Sequence, residues 1–98
     1  MRADYDSEAD AISITLADPK DSDLPVASDP VHERCTVALA GGVAVDVELL
    51  YPALGIDEPL AAAAARHRLD LQQLRAAVRS ALEAPDRAVT VEIVEPPR

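Results

Sequence analysis

Two runs of alternating apolar and polar residues flank a pair of glycines in VHERCTVALA-GG-VAVDVELL, and this arrangement constrains the chain more than any other feature of it. Val31, Glu33, Cys35, Val37 and Leu39 share one side of the first run, and Val43, Val45, Val47 and Leu49 share one side of the second. A period of two is the signature of a strand with one buried face, and Gly41-Gly42 supplies the positive φ of a tight hairpin turn. The segment therefore predicts an antiparallel hairpin, Val31–Ala40 paired with Val43–Leu50.

A second hairpin is predicted upstream. Arg2 to Asp6 is a short strand candidate, Asp6 to Asp10 (DSEAD) is a polar turn, and Ala11 to Ala17 (AISITLA) alternates again through Ile12, Ile14 and Leu16. Asp18 to Pro30, with its prolines and aspartates and no periodicity, reads as an exposed connecting loop. After Tyr51 to Gly55 the period changes to that of a helix. Asp57 is expected to act as N-cap with Glu58 and Pro59 in the first turn, and the alanines carry this helix to about Arg68. Asp70 is expected to cap a second helix, Leu71 to about Glu83, with Leu71, Leu74, Val78 and Leu82 on one face. Pro85 ends it, and Ala88 to Val94 alternates as a last strand. Segregated strands and helices predict an α+β fold, an antiparallel sheet of two β-hairpins plus a C-terminal strand covered by a two-helix hairpin.

At 98 residues one core is all the chain can build, so residues 1–98 are read as a single domain: 1–50 the two-hairpin sheet region, 57–83 the helical hairpin, 88–94 the last strand. With no Phe or Trp and two Tyr, that core must be aliphatic. Aliphatic side chains bury less area each than rings, which makes a homodimer the expected way to bury more. Cys35 is the only cysteine, which excludes an internal disulfide and fits a reducing compartment. The acidic amino terminus lacks a secretory pattern and no run is long enough to span a membrane, so a cytoplasmic protein without membrane contact is expected.

Charge divides the chain. Residues 1–58 carry a net charge of -10, whereas 59–82 carry Arg66, Arg68, Arg75 and Arg79 against Asp70 alone, within a total of -9. Such a field repels phosphate, so any nucleic-acid contact must be local. The acids Asp6, Glu8, Asp10, Asp46 and Glu48 are the candidate surface for a basic protein partner. A small hydrolase using Asp6, Asp10 or Glu48 is the enzymatic rival, but general acid–base work needs carboxylates with separated pKa values, and nothing in the sequence supplies that. His32 and Cys35 stand in an H-x-x-C spacing, yet two ligands make no metal site and one continuous strand would put them on opposite faces. No phosphate loop, dinucleotide fingerprint or zinc motif is present, so no cofactor and no enzyme is expected.

YDSEADAISITL and the later GGVAVDVELL together resemble the small bacterial domain-of-unknown-function family number 2283 over residues 1–50. The shared features are Tyr5, Asp6, Ala9, Asp10, Gly42, Glu48, Leu49 and Leu50. The chain departs from the pattern in its ADAISI form where a tyrosine often stands, in a longer middle loop and in a helical carboxy-terminal extension. Some members look like antitoxin partners of small ribonuclease-like toxins, so the resemblance implies an interaction protein and offers no catalytic residues. The leading expectation is a non-enzymatic binding or regulatory module with a protein partner that also self-associates. Its alternative is an antitoxin-type DNA-binding regulator in which residues 61–82 act as a helix-turn-helix-like element. There Gln72, Gln73, Arg75 and Arg79 would meet bases and phosphates, with Arg68 standing where the turn of such a motif usually has glycine.

Overall fold

A computed structural model describes residues 1–17 and 26–91. Its elements are β1 (Arg2–Asp6), β2 (Ala11–Thr15), β3 (Val26–His32), β4 (Cys35–Ala40), β5 (Val43–Leu50), a 3-10 turn (Pro52–Leu54), α1 (Asp57–His67), α2 (Leu71–Glu83) and β6 (Ala88–Thr90). The strands form one antiparallel sheet in the order β3-β4-β5-β2-β1-β6, and both helices pack on the same side of it. This is the α+β architecture the patterning predicts, with one more strand.

The extra strand arises where the sequence reads as a loop. Val26 to Pro30 pairs with β4, and the run from Val31 to Ala40 is broken by a tight turn at Glu33–Arg34. The alternation continues through that turn, which is why the pattern predicts one strand where the fold has two. Residues 18–25 of the expected loop, and 92–94 of the expected last strand, lie outside the described residues; within them the strand ends at Thr90, and the Val91 N–H donates to the Met1 carbonyl.

Residues directly opposite one another in a ladder share a face, so the register sorts every side chain. One row runs Val89, Ala3, Ile14, Val47, Val37, and the next Tyr5, Ile12, Leu49, Cys35. These rows lie under the helices: Ala3, Ile12, Ile14, Cys35, Val37, Val47 and Leu49 are buried against Leu60 and Ala63 of α1 and Leu74, Ala77, Val78 and Ala81 of α2. The expected α2 face is therefore rotated. Leu74 and Val78 are in the core, but Ala77 and Ala81 complete the stripe, Leu71 is half-buried and Leu82 is exposed. Small side chains suit this interface because they let a helix approach a flat sheet closely.

Helix ends follow local chemistry with one correction. Asp70 caps α2 as expected, accepting from the N–H of Gln72 at 2.9 Å and of Gln73 at 3.2 Å. Asp57 does not cap α1; Ile56 already has helical angles and its carbonyl accepts from Leu60 N–H, so Asp57 is the first helical residue. Its carboxylate instead reaches across to Arg75 of α2, Nε to Oδ1 2.8 Å. Between the helices Arg68 sits in the left-handed region (φ 54°, ψ 45°), and the N–H of Leu69 closes onto the Ala64 carbonyl at 3.0 Å.

Candidate functional site, the helix-free face of the sheet

The register that buries one set of side chains delivers the other set to a face that carries no helix. Across it run Asp4, Ser13, Glu48, Thr36 and Pro30 in one row and Arg2, Thr15, Asp46, Ala38 and Ser28 in the next. Ser13 thus has Asp4 on one neighbouring strand and Glu48 on the other, each directly opposite it in its ladder. The Ser13 hydroxyl donates to Asp46 Oδ1 at 2.8 Å. Three carboxylates surround one small hydroxyl-bearing residue. Among the described residues of these two rows the cation is Arg2, opposite Thr15.

Burial raises the Asp46 carboxyl above the usual range; the Ser13 hydrogen bond opposes this, and the charges of Glu48 and Asp4 add to it. Among the described residues the carboxylates that form ion pairs are Asp29, Asp57 and Glu58, so Asp4, Asp46 and Glu48 stand without one there. An excess of negative charge close to a low-polarity sheet favours an approaching cation.

The other acidic candidates are engaged elsewhere. Asp6 Oδ1 accepts from the N–H groups of Glu8 and Ala9, building the β1–β2 turn. Asp10, itself at φ 52°, accepts the Tyr5 hydroxyl at 2.7 Å, which pushes the Tyr5 phenol up. Glu8 is exposed at the turn. The five acids singled out in the sequence therefore divide: Asp46 and Glu48 lie on the sheet face, Asp6 stands at its end on the same side of β1 as Asp4 while building the turn, and Glu8 and Asp10 belong to the turn. Asp4 and Ser13 escape the sequence reading, although the turn length fixes their pairing and, with it, their shared face.

The nucleic-acid candidates are also divided. Gln72 and Arg79 are exposed on the outer side of α2, Gln73 is half-buried, and Arg75 is held by Asp57. Arg66 is likewise engaged, with Asp29 Oδ2 at 2.7 Å. His32 and Cys35 are opposite one another across the Glu33–Arg34 turn, which corrects the expectation of opposite faces. His32 Nδ1 accepts from the Arg34 N–H, and burial pushes the Cys35 thiol up to about 11. No cluster of three metal-ligating residues occurs among the described residues, and no helix there is long and apolar enough to cross a membrane.

In comparisons with family models, curated proteins and solved structures, nothing matches this chain.

Proposed function

We propose that the chain is a non-enzymatic binding module whose helix-free sheet face receives a basic protein partner. The observation that carries this reading is the grouping of Asp4, Asp46 and Glu48 around Ser13 on one face of the sheet. A partner arginine or lysine laid over Ser13 meets all three carboxylates at once, and complementary charge gives both steering and orientation. The resemblance of residues 1–50 to a family with antitoxin-like members belongs to the same proposal and agrees with a basic partner.

Self-association is part of the proposal, through a different surface. Two copies meeting by this face would oppose like charges, whereas Tyr51 and Leu54 present apolar surface at the 3-10 turn.

A fluorescently labelled arginine-rich peptide tests the reading by anisotropy at low salt. Binding that weakens with salt and falls about tenfold in Asp46→Asn/Glu48→Gln, while Glu8→Gln leaves it intact, is the expected result. Equal binding by all three proteins, or none, sinks the assignment of this face. Salt-sensitive binding of duplex DNA that is lost in Arg75→Ala/Arg79→Ala would move the interaction to the helix pair.

A further inference from the structure

Strand β3 has seven residues and buries none of them: Val26, Ala27, Ser28 and Pro30 are exposed, and Asp29, Val31 and His32 are half-buried. Its neighbours differ. β4 buries Cys35, Val37 and Ala40, and β5 buries Val47 and Leu49. The register explains the contrast. On the covered side of β3, the residues opposite Val37 and Cys35 are Asp29 and His32, so polar groups stand where the sheet elsewhere presents aliphatic side chains to the helices. Of the β3 side chains, Val31 packs against the core, from the irregularity in register between Pro30 and His32.

Polar contacts replace the missing apolar ones. Asp29 Oδ2 lies 2.7 Å from Arg66 Nε and 2.7 Å from His67 Nε2, both in the last turn of α1. Asp29 and His67 are largely shielded, with 19% and 15% of their side chains exposed, so this carboxylate acts in a setting where a charged hydrogen bond has strength. The second contact is weak by comparison. His32 Nε2 is 3.7 Å from a Glu58 that is 89% exposed, and water screens such a pair.

We infer that β3 is a detachable edge strand, clasped to α1 by the Asp29 carboxylate, and that it opens as a unit while the other five strands stay folded. Two properties make this possible. Opening costs the core little apolar burial, because β3 contributes little, and as an edge strand it is paired, among the described residues, with β4 alone. What opening uncovers is the backbone edge of β4, a row of N–H and C=O groups able to pair with another strand. The Arg66 guanidinium freed at the same moment leaves a cationic end on α1, with the His67 ring beside it.

Native-state hydrogen exchange reads this directly. In the unaltered protein, amides of β3 and the β4 amides bonded to it exchange through an opening distinct from that of β1, β2 and β5. In Asp29→Asn their protection falls by about ten- to a hundredfold while the central strands keep theirs, the range expected for losing a charge-assisted bond. Glu58→Gln leaves both groups unchanged, and Arg66→Gln, which keeps His67 on Asp29, gives a smaller drop confined to the same amides. If β3 amides are as protected as those of β2, or if Asp29→Asn unfolds the whole chain or lowers all strands equally, β3 is an integral part of one cooperative sheet and the inference is wrong.

Discussion

At the scale of single residues, the helix hairpin holds an avoidable cost. Arg68 occupies left-handed backbone (φ 54°), where a Cβ is crowded and glycine is free of that penalty. Its side chain is exposed, so removing it forfeits little packing. Arg68→Gly is expected to stabilise the fold by about 0.5 to 1 kcal/mol, and equilibrium urea unfolding measures it. Cys35 gives a second prediction. Burial lifts its thiol from 9.0 to about 11, so between those values the unfolded chain ionises first and binds fewer protons than the folded one. Stability must then fall as pH rises from 9 to 11, and Cys35→Ala should flatten that part of the profile. Asp46 works in the same direction at the acid end. Its raised carboxyl keeps a proton that the unfolded chain has released, so its protonation favours the folded state just above the usual carboxylate range. The exposed Asp86 opposes this, since the N–H and hydroxyl of Ser7 lower its carboxyl and that contribution is lost on acidification.

At the scale of elements, what can be read from the sequence depends on how local the determining interaction is. The β1–β2 and β4–β5 hairpins and the Asp70 cap are legible because turn, alternation and cap are each written within a few residues. β3 is not, because its strand character comes from pairing with β4 and not from alternating apolar residues of its own. The Asp29–His67 contact spans 38 positions and no spacing rule reaches that far. The candidate site is half legible: Asp46 and Glu48 follow from alternation, whereas Asp4 and Ser13 join them only once register is fixed. Pro30 in β3 carries its own consequence. Proline lacks an N–H and interrupts strand-to-strand pairing, so at an edge it discourages a second sheet from docking there. Pro30→Val is expected to raise concentration-dependent association, seen as a growing average mass in light scattering; an unchanged mass would mean the edge is protected by other means.

At the scale of the whole molecule, the charge imbalance competes with the ion pairs. A net charge of -9 repels itself over the surface, while the described pairs are four and mostly at the surface. Exposed pairs contribute about 0 to 1 kcal/mol each, so screening the net repulsion is the larger effect. Thermal stability should therefore rise as salt is raised from about 0.01 M to about 0.15 M, over which the screening length shrinks from roughly 30 Å to roughly 8 Å. A midpoint that falls with salt would instead mean that the ion pairs outweigh the repulsion. The same salt would weaken binding of a basic partner, which separates folding from binding in one titration.

The all-aliphatic interior also decides how the molecule can be watched. Tyr5 is half-buried, its ring packed against the core and its hydroxyl on Asp10, and Tyr51 is half exposed just before the 3-10 turn with its N–H on the Asp10 carbonyl, so both aromatic rings lie near Asp10. Ultraviolet absorption and emission therefore report on the end of the sheet around Asp10 and not on the packed layers as a whole. An optical experiment on this protein would see that end of the sheet first, and loosening elsewhere would pass unrecorded unless the backbone itself is the probe.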